Sequence, residues 1–242
     1  MLGLGIFLED TPDGDTTWGM SLLSGLEYTL LLVVCAWVIA MVLGSVLGVV
    51  RTTKSRFWVT LGNAYVELFR NIPLLVQFFL WYFVLPSVIP PLKRFANAVD
   101  PGTFQIITAI VCLGLFTAAR IAEQVKSGIQ SLPRGQTDAG LALGLTPTQT
   151  YRHVLLPMAY RIIIPPLTSE SMNLVKNSAV AYSIGLTELF FRTREMGEMT
   201  FRYFAAFGAA TVLYVAVAFS INRIMAWVER TTAVPGYMGG SK

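Results

Sequence analysis

Charge and cysteine are what this 242-residue sequence has little of. Only 13% of its residues are charged, against about 25% in an ordinary soluble domain. With 54% hydrophobic residues and a mean hydropathy of +0.60, it carries more apolar surface than one core can hide from water, and it reads as an integral membrane protein. The two cysteines, Cys35 and Cys112, lie in separate apolar runs, which excludes a disulfide framework and Cys-x-x-Cys metal spacing. A single histidine, His153, excludes a His-rich metal site. No Ser-His-Asp set or paired-carboxylate site stands out, so no catalytic or metal-ligating residue is assigned. There is no G-x4-G-K-[ST] loop to cradle ATP phosphates, so no cofactor is assigned to this chain. Residues 1 to 20 hold Glu9, Asp10, Asp13 and Asp15 but no Lys or Arg. That is the reverse of a signal peptide's basic start, and the segment reads as a retained acidic arm.

What the chain does have is long apolar runs. Leu22 to Val50 is apolar apart from Glu27, with Gly44 and Gly48 at a spacing that lets helices approach closely. Phe57 to about Ile89 is long enough to cross a bilayer but is interrupted by Glu67, Arg70, Asn71 and Pro73, which predicts a broken or kinked second span. Phe104 to about Val125, Ile162 to about Leu186 (entered through Pro165-Pro166) and Phe204 to about Val228 complete five spans. A polar stretch, Lys126 to Arg161, separates the third from the fourth. The domain reading is an arm over 1–20, a transmembrane domain over 21–230 with this loop inside it, and a tail over 231–242.

The Lys and Arg residues orient the spans. Ten, including Arg51, Lys54, Arg56, Lys126, Arg134 and Lys242, fall on one side, five on the other, and Arg70, Arg120 and Lys176 at membrane depth. The richer side is expected to be cytoplasmic, which places the N-terminus outside, and the C-terminus and the 126–161 loop inside. The net charge of +4 is thereby spent on topology. It forms no basic stripe with interleaved aromatics, so nucleic acid is not expected as a partner.

The loop carries the most specific pattern. Asp138-Ala139-Gly140, then three residues, Gly144, nine residues, and Val154-Leu155-Leu156-Pro157 resemble the EAA motif, E-A-A-x3-G-x9-I-x-L-P, of permease subunits of ATP-binding-cassette importers. Asp138 replaces Glu, Gly140 replaces the second Ala at a cost of about 1 kcal/mol in helix propensity, and Val154 replaces Ile. A helix is expected from about Arg134 to Leu143, ended by Gly144, and a second from Thr146-Pro147, an N-cap followed by Pro at the first position. Tyr65 to Gln77, Leu155 to Arg161, and Lys176-Asn177-Ser178 resemble the polar amino-acid branch of that family, and Thr117 to Gln124 is most similar to its glutamate and aspartate permeases. The resemblance covers about residues 22 to 230.

The resemblance implies an all-α, polytopic, type I importer permease in the bacterial inner membrane, itself no enzyme. It further implies two ATPase subunits holding ATP and Mg, a second permease (a similar chain or another copy), and an amino-acid-binding protein outside. Gly135, Asp138, Ala139, Gly140, Gly144, Val154, Leu156 and Pro157 are then the residues coupled to the ATPase. Lys93, Arg192, Arg194, Glu195 and Glu198 are charges available for docking the binding protein.

The charges at membrane depth carry two readings each. An arginine there costs at least about 2.5 kcal/mol unless it finds a partner or a wet cavity. Arg120 either pairs with Glu123 on the same helix face or faces the substrate path, where Glu123 is a candidate as well, and holds an acidic amino acid's side-chain carboxylate, for which a guanidinium fork is suited. Glu67 and Arg70, also three apart, sit with Asn71 and Pro73 in what reads as a structural hinge. Lys176, Asn177 and Ser178 either meet the substrate's α-carboxylate at a broken helix, or Lys176 pairs with Glu170 across a bend. A channel or secondary transporter would need no ATPase, and the EAA-like loop speaks against both. An intramembrane enzyme would need polar catalytic groups gathered at one depth, and no nucleophile and base pair is in view.

Overall fold

The structure, a computed structural model, describes residues 4–232. Lys242 and all but the first two residues of the expected tail lie outside the described residues, as do the first three of the arm. Every regular element described is helical, apart from one bridge between Asp10 and Thr17. That bridge closes a loop which tucks Ile6 and Trp18 into an apolar cluster with Leu22, Leu189, Met196 and Ala206. Ile6 and Trp18 thus anchor the arm to the helical body.

Helix α1 (Trp18–Val50) starts where the Thr17 side chain accepts from the Met20 amide. Its 33 residues reach about 50 Å at 1.5 Å per residue, more than the hydrocarbon thickness. One face is a run of small buried residues, Ala36, Ala40, Gly44 and Gly48; the opposite stripe, Val34, Val38, Val42 and Val46, is more than half exposed and suits lipid. After α2 (Arg56–Asn71), α3 (Leu74–Phe79), a π turn and α4 (Leu85–Val88) come α5 (Pro90–Ala98) and then α6 (Pro101–Gln130), against which α1, α2 and α3 pack. A Cβ on Gly44 would lie 2.8 Å from the Ala118 carbonyl, and one on Gly48 2.6 Å from Val125 Cβ. The α1 and α6 backbones therefore touch, which only glycine allows.

The chain continues through α7 (Arg134–Ala142), α8 (Pro147–Thr150), a π turn, α9 (Leu156–Ser178), a 3-10 turn, α10 (Leu189–Thr200) and α11 (Tyr203–Thr232). Among the described residues three helices, α1, α6 and α11, are long and apolar enough to cross a membrane, and α2 with Leu74–Val88 forms a further candidate bent by 103°. The stretch expected as a fourth span is built as α9 plus the 3-10 turn, and Arg161, Glu170 and Lys176 set it apart from the apolar helices. One boundary differs: Pro165 and Pro166 lie inside α9, not at its entrance. Burial of Ile163 and Leu167 against Ile121 and Val125 carries the helix through them.

Candidate functional site

The loop between α6 and α9 is a pair of short helices capped against each other. α7 ends in a Schellman arrangement: the Leu145 amide donates to the Gly140 carbonyl at 3.1 Å and the Gly144 amide to Leu141 at 3.0 Å, with Gly144 at φ 80°. α8 opens on a capping box, in which the Thr146 hydroxyl accepts from the Gln149 amide and the Gln149 side chain accepts from the Thr146 amide at 2.8 Å. Gly140 is buried where the two meet, and a Cβ there would lie 2.8 Å from Thr150 Cγ2. The departure from alanine in the motif is therefore matched by a neighbour that occupies the methyl's space. Gly135, Asp138, Ala139, Gly144 and Pro157 are exposed, Val154 and Leu156 half-buried. Leu141 and Leu143 are exposed too, Leu143 at 82%, so the pair offers a partner apolar contacts on a stiff support. Sequence reasoning missed Thr150 and Tyr151; the Tyr151 hydroxyl donates to the Thr52 carbonyl at 3.1 Å and ties this loop to the turn between α1 and α2.

The bend after α2 has a local cause. Pro73 has no N–H, so it leaves the Phe69 carbonyl without its helical donor. The buried Gln77 side chain donates to Phe69 and Ile72 carbonyls, both at 2.9 Å. Asn71 and Pro73 themselves are exposed. Gln77 was not singled out from the sequence, although an amide four residues past a proline inside an apolar run is the type of residue that can satisfy a broken ladder.

Two of the three charges at depth, Arg120 and Arg70, find partners on other helices. Arg120 on α6 donates through Nε to Glu170 Oε2 on α9 at 2.8 Å, with 39% and 10% of the two side chains exposed, and its guanidinium lies 6.0 Å from the Phe116 ring centroid. It does not pair with Glu123. Glu123 instead takes Arg51 Nη2 at 2.6 Å, and Arg70 Nη1 stands 3.4 Å away. Arg51, placed by sequence among the topology charges, is buried and also donates through Nε to Asn63 Oδ1 at 2.8 Å. The expected Glu67–Arg70 neighbourhood is not a pair, because Arg70 turns to Glu123 and Glu67 stays exposed. Lys176 does not reach Glu170, whose carboxylate is held by Arg120; it is exposed, with no ion pair among the described residues. Asn177 is half-buried, and the buried Ser178 spends its hydroxyl on the Val175 carbonyl at 2.7 Å. Pairs formed between helices satisfy each charge while also fixing helix positions, which same-helix pairs cannot do.

A further buried carboxylate escaped sequence reasoning. Glu188 caps α10, accepting from the Phe190 and Phe191 amides at 3.0 and 2.8 Å, and also from Tyr214 of α11 at 3.2 Å and Thr29 of α1 at 3.4 Å. Three helices thus converge on one side chain. Along α10 Arg192 pairs with Glu195 and Arg194 with Glu198, while Lys93 is exposed on α5. Among the described residues no three His, Cys, Asp or Glu side chains gather to hold a metal ion.

Residues 40–234 match the family described as the inner membrane component of binding-protein-dependent transport systems. The chain is 49% identical over 238 residues to the glutamate/aspartate import permease protein GltJ of Escherichia coli (strain K12), with 98% of this chain and 97% of that one covered. It is 30% identical over 212 residues to the glutamate/aspartate import permease protein GltK of Escherichia coli O6:H1, covering 88% and 93%. A solved amino acid ABC transporter crystallised with histidines superposes with a TM-score of 0.73 at 26% identity, over 88% of this chain and 95% of that one.

Proposed function

Since the chain belongs to the family of binding-protein-dependent transport system inner membrane components, we propose that it is the permease subunit of an ATP-driven importer carrying glutamate and aspartate across the cytoplasmic membrane. It is a transport subunit and not an enzyme. Hydrolysis belongs to two ATPase subunits, which hold ATP and Mg, and an amino-acid-binding protein delivers substrate from outside. Likeness to two permeases that share one substrate name supports a pair of unlike permeases around the path.

The observation that carries the substrate class is Arg120. It is a guanidinium on a membrane-length helix, partly exposed, anchored through Nε alone, so that its Nη edge remains to receive a carboxylate. Glu170 sets its direction. The exposed Leu141 and Leu143 on the α7–α8 pair support seating in an ATPase groove, and the Tyr151–Thr52 bond supports placing that pair on the same side as Arg51 to Arg56, the side with excess Lys and Arg. The N-terminal arm then lies outside, where the charges on α5 and α10 are available to the binding protein.

Transport proceeds by alternating access. Loaded binding protein and ATP each bind one state of the paired permease better than the other, and hydrolysis returns it. The α7–α8 pair passes ATPase closure to α9 through the π turn and to α1 through Tyr151, and the bend at Asn71 to Pro73 shapes the path. Gly144→Asp places a side chain where φ is 80° and distorts the docking pair. Uptake of labelled L-glutamate is expected to vanish while the variant still reaches the membrane; normal ATP-driven uptake would remove the coupling assignment.

A further inference from the structure

The last helix changes character along a single stripe. Val212, Val215 and Phe219 of α11 are 68%, 61% and 63% exposed, which suits acyl chains. At the same helical spacing the stripe continues through Arg223, Ala226 and Arg230. It points away from the body of the chain: Ile221 and Met225, each about half a turn round from Arg223, line an apolar groove with Val33 and Trp37 of α1 and Leu174 of α9. The two guanidiniums therefore stand on the outward face, where the apolar stripe ends.

Their depth follows from the helix rise. From Tyr203 to Arg223 the axis climbs about 30 Å, the thickness of the hydrocarbon layer, so Arg223 stands at its boundary and Arg230 about 10 Å further out, at headgroup level. Trp227, 66% exposed, lies between them, where an amphipathic ring is favoured. Arg223, Ala226, Trp227 and Arg230 line a cavity of about 150 Å³. The Arg223 guanidinium lies 5.4 Å from the Phe219 ring centroid, and neither arginine has an ion pair or a side-chain hydrogen bond among the described residues. Glu229, next to Arg230 in sequence, is half-buried and pairs with neither.

We propose that Arg223, Trp227 and Arg230 seat the headgroup of an anionic phospholipid, whose acyl chains run along Phe219, Val215 and Val212. Two guanidiniums without a carboxylate leave two positive charges at a boundary where water is scarce, and a phosphate supplies the acceptor oxygens that their forked donors need. A zwitterionic lipid offers the same phosphate but brings an ammonium against the same two charges, so the site selects lipids of net negative charge. Trp227 packs its ring against the glycerol region while its N–H reaches the polar layer. The site lies apart from Arg120 and from the α7–α8 pair, so it does not depend on which substrate is carried.

The test titrates the purified complex of this chain with its partner subunits, in neutral detergent, with phosphatidylglycerol, and counts bound lipids by native mass spectrometry. Phosphatidylcholine and inorganic phosphate are titrated in parallel. For Arg223→Gln/Arg230→Gln the phosphatidylglycerol concentration that half-fills the site is expected to rise about thirtyfold, which is about 1 kcal/mol for each guanidinium at 1.4 kcal/mol per tenfold. Phosphatidylcholine binding is expected to change little, and Arg223→Lys/Arg230→Lys to keep most of the phosphatidylglycerol affinity. Equal phosphatidylglycerol binding by wild type and the glutamine variant, or an equal loss of both lipids, would overturn the proposal. Inorganic phosphate that displaces the lipid would overturn it too, since the acyl chains would then contribute nothing. A glutamine variant that no longer assembles would show that a protein partner covers the stripe, and that also overturns it.

Discussion

Replacing Gly140 with alanine restores the residue that the EAA pattern has at this place, and propensity alone favours it by about 1 kcal/mol. The structure predicts the opposite sign. The new methyl would lie 2.8 Å from Thr150 Cγ2 and 3.0 Å from its Oγ1, and Thr150 is 1% exposed, so it has little room to retreat. Overpacking of this kind costs about 1–3 kcal/mol, which leaves a net loss of about 1 kcal/mol after the propensity gain. Hydrogen exchange of the 134–155 backbone reads this locally, and Gly140→Ala is expected to speed it about fivefold. In a Thr150→Ala background the clash is gone and the same substitution is expected to slow exchange by a similar factor. Slower exchange of Gly140→Ala in the otherwise native chain, or equal effects in both backgrounds, would refute the packing argument.

Two other buried side chains give predictions of the same type. Glu188→Ala removes an N-cap worth about 1 kcal/mol and strands the Thr29 and Tyr214 hydroxyls at about 1 kcal/mol or more each; a loss of about 3 kcal/mol should appear in denaturation of the purified complex, and a loss below about 0.5 kcal/mol, the range of an ordinary surface change, would show that the three helices do not depend on this carboxylate. Gln77→Leu strands the Phe69 and Ile72 carbonyls. Spin labels on α2 and α4 should then report a broadened distance distribution, and an unchanged one would mean that the bend is held by other contacts.

The elements that were legible in the sequence are those set by local chemistry. The apolar runs of α1, α6 and α11 have no other explanation than a bilayer, and Gly144 with Thr146-Pro147 marks the two ends facing each other in the loop because φ > 0 and capping are properties of single residues. The break near Pro73 was legible for the same reason. What was not legible depends on which helices meet. Arg120 had Glu123 three residues away, yet its partner Glu170 lies 50 residues on, and nothing in either segment announces the other. Arg51 read as a topology charge because it ends an apolar run, and only the fold shows that it turns inward to Glu123. Gly140 read as a lost alanine until Thr150 was seen against it. Glu188 follows a 3-10 turn that hides the start of α10, and its other partners, Thr29 and Tyr214, come from helices far away in sequence.

The central claim is that Arg120 receives the acidic substrate and is not merely the structural partner of Glu170. Uptake of labelled L-glutamate into cells carrying the matched ATPase, partner permease and binding protein tests it, comparing wild type, Arg120→Ala and the double variant Arg120→Ala/Glu170→Ala at equal membrane levels. The single variant leaves Glu170, 10% exposed, without its partner; the double variant removes both charges and relieves that cost. With Arg120 holding the substrate, uptake is lost in both while the binding protein's affinity for glutamate stays the same. Uptake restored in the double variant would contradict it, reducing Arg120 to a helix tie and moving selectivity to the binding protein.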